Sequence, residues 1–273
     1  MDTIKLNAIQ QIVDSNIKSF ADGLELRYKR DLDNPSGNIN SKMNNCFIAQ
    51  LGDEFVFYSA FVRSFDSSFG KVFENMGNAI AKLSYEVRGS IDSFILPQQS
   101  QHIDYLMTEY NKRTTPNITD YKSFNCIIPK DITSYKAIHK TDNYFYDKTS
   151  NEHHVVELKS GGDLDTKKAK AEKVELLRQY YLLKNSLAEH SKINLYLGTA
   201  YNKFGEDVEW KQDRVTQYFA KDELLIGKKY WNFVCNDSAG FDIIFEQYKT
   251  SANFIKDALE KIKSLYLGEK AHG

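Results

Sequence analysis

The order of segments between residues 142 and 201 restricts the fold more than any other feature. The runs DNYFYD (142–147), HHVVELK (153–159) and INLYLGTAY (193–201) are aromatic and β-branched, while residues 166–189 have helical character. Strand, hairpin loop, strand, helix, strand is the order that builds an α/β sheet, here a central mixed sheet flanked by helices. In the helical stretch Leu176, Tyr180, Leu183 and Leu187 recur at steps of four, three and four, giving one packing face, and the lysines lie mainly ahead of it.

The rest of the chain is expected to be mostly helical. Ile9, Ile12, Val13, Ile17 and Phe20 recur at helical spacing, and DNPSGNINS (33–41) is a turn-rich loop that ends that unit. In RSFDSSFGKVFENMGNAIAKL a Ser at 67 or 68 is placed to cap a helix whose Phe69, Val72, Phe73, Met76, Ile80 and Leu83 face inward. LPQQSQHIDYLMTEYNK reads as another helix, FNCIIP (124–129) as a short strand or extended segment, KYWNFVCN (229–236) as a further strand, and SANFIKDALEKIKSLYLG as a last amphipathic helix ending at Gly268. No repeat or clear linker divides the chain. The expectation is a single domain over 1–273, with a mainly helical part at 1–115, an α/β core at 116–240 and a C-terminal helix at 241–273.

Composition excludes several classes. With 273 residues, 41% of them apolar, the chain can bury a large core, and a formal charge of -1 leaves any anionic partner to a local basic surface. Cys46, Cys126 and Cys235 are odd in number, far apart and without metal-type spacing, which argues against a disulfide scaffold or zinc ribbon. The N-terminal segment lacks the apolar core of a signal peptide. The longest apolar run, FVFYSAFV at 55–62, falls far short of the roughly 20 residues of a membrane span, so a soluble, cytoplasmic protein is expected.

Chemistry gathers at the end of the second strand. Side chains alternate along a strand, so Glu157 and Lys159 project to one side and Leu158 to the other, just before Ser160-Gly161-Gly162 turns the chain. That places the charged pair at the carboxyl end of a sheet strand, where open α/β sheets form clefts. Acid-x-Lys also occurs at Asp120, Asp165 and Glu209, but there no β-branched run precedes it and no glycine turn follows. A hairpin would return the upstream strand beside Glu157 and bring Asp142 to it. Two converging carboxylates can hold Mg²⁺, and a neighbouring lysine can orient or help deprotonate a bound water and stabilise charge on a phosphate. The competing reading is a plain Glu-Lys ion pair with Asp142 capping a turn. KSGGD lacks the Gly-Lys-Ser/Thr ending of a P-loop, and His153 and His154 face opposite ways, which disfavours chelation by the pair.

Asp142, a loop and Glu157-Leu-Lys159 resemble the PD-(D/E)XK nucleases, and the longer string ELKSGGDLDTKKAKAEK is similar to type II restriction endonucleases of the TdeIII kind. The likeness takes in TAYNKFGEDVEWKQDRVTQYF and LLIGKKYWNFVC, and RSFDSSFGKVFE upstream, roughly residues 60–236. It implies a PD-(D/E)XK core and Mg²⁺-dependent hydrolysis of double-stranded DNA at a short palindromic site. Asp142, Glu157 and the Leu158 carbonyl would be metal ligands and Lys159 the catalytic amine. Thr141 stands where the motif has Pro, and Asp147 is the alternative to Asp142. Many relatives carry a helical Glu in the site, for which Glu74 is the candidate beside a solvent-facing reading. The resemblance also hints at a GGNCC-type target, a homodimer matched to a two-fold target and a cognate DNA methyltransferase as genetic partner.

Lys167, Lys168, Lys170 and Lys173 after the strand, and Lys203, Lys211 and Arg214 further on, are placed to hold phosphates, unless the first group is a solvated helix face. Asn202, Lys203, Gln212 and Arg214 are the residue types that read base edges. Asp163, Asp165 and Glu172 read as turn and helix N-terminal acids. Two other functions fit the same residues: a repair or recombination nuclease that recognises DNA structure, and a DNA-binding module whose charges form ion pairs only.

Overall fold

The computed structural model describes residues 1–32, 34–127, 136–161 and 164–270, with the side chains at 32, 136–142, 269 and 270 outside the description. The chain divides into two compact units, Met1–Met76 with Asp242–Gly273, and Gly77–Phe241.

The first unit is helical. In α1 (Thr3–Leu32) the buried residues Ile9, Val13, Ile17, Phe20, Leu24 and Tyr28 follow one another at helical steps and make a single apolar stripe. Short α2 (Asn38–Met43) and α3 (Cys46–Ala49) lead into α4 (Asp53–Ala81). Phe57, Phe61, Phe65 and Phe69, four apart, stack in sequence along α4 with ring centroids 5.8, 5.7 and 5.0 Å apart. Tyr28 meets Phe61, and Phe20 meets Phe65, at 5.3 and 5.4 Å. The last helix, α10 (Gly240–Lys270), buries Ile255, Ala258, Ile262 and Tyr266.

Three expectations for these helices are corrected. Neither Ser67 nor Ser68 caps a helix, because α4 runs through both; the Ser68 hydroxyl donates back to the Ser64 carbonyl at 2.7 Å instead. Leu83, expected inward, lies beyond the end of α4 and is exposed. The C-terminal helix starts at Gly240 and passes Gly268, at which no positive φ interrupts it.

The second unit holds a five-stranded mixed sheet in the order β1 (Glu86–Phe94), β2 (Lys136–Asp147), β3 (Glu152–Lys159), β4 (Lys192–Thr199), β5 (Leu224–Ile226). β1, β2 and β3 are antiparallel neighbours, and β3, β4 and β5 run parallel. Between β1 and β2 lie α5 (Pro97–Asn111) and α6 (Thr119–Lys122); α7 (Thr166–Ser186) is the crossover from β3 to β4. Short α8 (Asp213–Thr216) and a 3-10 turn (Lys221–Glu223) precede β5, and α9 (Lys228–Cys235) follows it.

The odd-numbered positions of β3 face α7. Val155 joins Leu195 and Leu197 of β4 and Leu176, Leu177, Tyr180 and Leu183 of α7 in one core. On the opposite face His154, Phe145 and Tyr196 pack against Phe233 of α9.

The sequence reading needs correction here too. Residues 229–236 form α9, not a strand. Residues 124–127 carry no regular structure, and 128–129 lie outside the described residues. The edge strand β1 was not expected; it lies in the second compact unit, Gly77–Phe241.

Candidate active site

β3 is the middle strand, and its carboxyl end carries the acid and the amine. Lys159 Nζ lies 2.9 Å from Glu157 Oε1, so alternation along the strand puts both side chains on the α7 side. A second carboxylate meets the same amine: Glu172 Oε1, from α7, is also 2.9 Å from Lys159 Nζ. Burial by itself disfavours the ammonium, but Glu157 and Glu172 together outweigh it and hold Lys159 above the usual lysine range. All three side chains retain partial exposure, 27% for Lys159, 13% for Glu157 and 19% for Glu172, which keeps the cluster reachable from solvent.

The turn behind the strand is shaped by a close approach. The Tyr201 ring lies against Gly161, where an added Cβ would come within 2.2 Å of a ring carbon. Ala200 and Tyr201 donate their backbone N–H groups to the Lys159 and Ser160 carbonyls, continuing the parallel pairing past β4. Gly162 and Asp163 lie outside the described residues.

Register separates the two aspartates proposed for the site. Asp147 pairs with Glu152, five residues from Glu157 and about 16 Å along the strand. Its Oδ1 accepts the backbone N–H of Thr149 at 2.8 Å and caps the β2–β3 turn. Asp147 is therefore a turn residue. Asp142 precedes Asn143, whose pairing with Val156 is the end of the β2–β3 register, so its backbone lies one residue beyond that pair; its side chain lies outside the description.

The other expected residues are dispersed. Glu74 belongs to the first unit, where it pairs with Lys71 one helical turn away. Asp165 caps α7 by accepting the Lys168 N–H at 2.7 Å. Lys167 and Lys168 are exposed in the first turn of α7 and Lys170 is half-buried. Lys173 is not a phosphate contact: it is 1% exposed and paired at 2.5 Å with Glu223. Asn202 does not offer an exposed amide, since its Nδ2 donates to the Val208 carbonyl and its Oδ1 accepts the Phe204 N–H, bracing the loop after β4. Gln212 is likewise buried, whereas Lys203, Lys211 and Arg214 are exposed.

Glu172 is the site residue that the sequence reading missed. It was grouped with the helix N-terminal acids, yet it sits in the second turn of α7 and meets Lys159 across the crossover. One signal was available: residues 169, 173 and 176 mark the buried face of α7, so 172 borders that face on the side of the strand it packs against.

Among the described residues no group of three or more His, Cys, Asp or Glu could hold a metal ion. The donors that are present near Lys159 are carboxylate oxygens, the chemistry that suits a hard cation such as Mg²⁺ rather than a thiophilic one. No described helix is long and apolar enough to cross a membrane.

The chain is thus a mixed α/β protein with a carboxylate and amine cluster at the carboxyl end of its middle strand. A family model described as type II restriction endonuclease, HinfI, matches residues 5–252, and the chain belongs to that family. No curated protein matches the chain, and no solved structure does. The family is one of endonucleases that act on the phosphodiester bonds of DNA, within restriction systems.

Proposed function

We propose that the chain is a Mg²⁺-dependent endonuclease with a PD-(D/E)XK centre that cuts both strands of a short palindromic DNA site as a homodimer. The observation that carries this reading is the Lys159 amine on the Glu157 carboxylate at the carboxyl end of β3, in a chain of the HinfI family.

Glu157, Asp142 and the Leu158 carbonyl would hold the cation. When bound, the cation lowers the pKa of water and neutralises charge on the scissile phosphate. Lys159, kept cationic by its two carboxylates, donates to a phosphate oxygen and stabilises the negative charge that builds there. Lys167, Lys168 and Lys170 hold the neighbouring DNA backbone, and base reading falls to the exposed Lys203 and Arg214 of the segment after β4. The TdeIII-kind resemblance points to the same chemistry, but the matching family is that of HinfI, so a GGNCC-type target is not carried to this chain. A DNA methyltransferase that protects the same sequence would be the genetic partner.

The test is Lys159→Ala, assayed for cleavage with Mg²⁺ and for DNA binding with Ca²⁺. Cleavage should fall by about a hundredfold or more while binding persists. Cleavage at the wild-type rate would contradict the assignment of the amine. A wild-type protein that binds DNA but cuts it under no divalent metal would point to a binding module.

A further inference from the structure

We propose that Glu172 is a positioning residue for this reaction: its carboxylate, with that of Glu157, fixes the Lys159 ammonium at the place where the phosphate must meet it. The inference rests on the reading of Lys159 as the reaction's amine.

A lysine has a long stem with about 2 kcal/mol of rotamer entropy, so one partner leaves its amine free to swing. Lys159 has two acceptors at 2.9 Å, from different elements, one on its own strand and one on α7. In the reading above Glu157 also serves the cation, whereas the ion pair of Glu172 is with Lys159.

Glu172 is itself held in place. Its neighbour Lys173 is buried against Glu223 at 2.5 Å, with its amine 5.0 and 5.2 Å from the Tyr121 and Phe219 ring centroids. Glu223 in turn accepts the Tyr121 hydroxyl at 2.9 Å and the Ala220 N–H at 2.8 Å. Ala169 and Leu176, one turn to either side, have no exposed surface. The rotation of α7 about its axis is thereby set, and Glu172, one position before the locked lysine, is turned to the end of β3. A surface acid free to take any rotamer would have none of these constraints.

The experiment compares Glu172→Ala, the isosteric Glu172→Gln and Lys159→Ala in single-turnover cleavage at saturating DNA. DNA affinity in Ca²⁺ and thermal stability are measured in parallel, as is the mobility of the Lys159 ε-methylene by NMR in the metal-free protein. The expected result for Glu172→Ala is a rate about tenfold or more below wild type, DNA affinity within about twofold and a more mobile ε-methylene. Glu172→Gln, which keeps an acceptor oxygen at that place, should recover part of the rate.

Wild-type cleavage by both Glu172 variants overturns the inference, and so does a rate loss fully matched by lost affinity or stability in Glu172→Gln. If Lys159→Ala itself cuts normally, the reading of the amine fails, an outcome separate from failure at Glu172 alone.

Discussion

At the scale of single residues, β3 carries two kinds of polar group. Near its carboxyl end Lys159 is matched by carboxylates and stays charged. Near its start His153 is kept neutral: burial, then the nearby Arg88, lower its pKa to about 4. The Tyr144 hydroxyl lies 2.7 Å from His153 Nδ1 and accepts from Arg88 at 3.3 Å, so its own proton is available to that nitrogen. Protonating His153 would set a second donor against Tyr144 and a second cation near Arg88. Its pKa is depressed on folding, so between pH 6.5 and about 4 the unfolded chain binds more protons and stability falls as pH falls. Urea unfolding should show up to about 3 kcal/mol of this loss, and His153→Gln should remove that share while leaving the part due to His154, whose pKa burial also lowers. Parallel curves for the two proteins would show that His153 does not titrate as described.

At the scale of elements, α7 links the sheet to the site. Its Lys173–Glu223 pair is closed from solvent on both sides, at 1% and 2% exposure, so removing one partner strands a buried charge. Glu223→Ala should cost about 3–5 kcal/mol in a denaturant melt, far above the 0–1 kcal/mol of a surface pair. A loss under about 1 kcal/mol would mean that water reaches the amine. The strands and helix from 142 to 186 were legible because their apolar periods are strong. α9 was misread as a strand because its aromatic composition outweighed its spacing, although Tyr230, Trp231, Val234 and Cys235 bury one helical face. β1, with Arg88, Gly89, Ser90 and Asp92, has little strand propensity and forms by pairing with β2 at the sheet edge. In the candidate site the acid and lysine could be read from alternation along one strand. Glu172 could not, because its meeting with Lys159 depends on how α7 crosses the sheet.

At the scale of the molecule, a chain with formal charge -1 must bind DNA through local cations rather than through its overall field. In the proposed reading the exposed Lys167, Lys168, Lys203 and Arg214 of the second unit would supply them, while Asn202, Gln212 and Lys173 are buried. The helical first unit, built on the α1 stripe and the α4 phenylalanines, contains none of the residues at the end of β3. The central claim is site-specific cleavage of both DNA strands with Mg²⁺. Incubating the protein with a mapped plasmid and Mg²⁺, then sequencing the fragment ends, tests it most directly. The account predicts ends at one fixed offset within a single short palindromic sequence. Ends scattered without a common sequence, ends only at branches or nicks, or an intact plasmid under every divalent metal would contradict it.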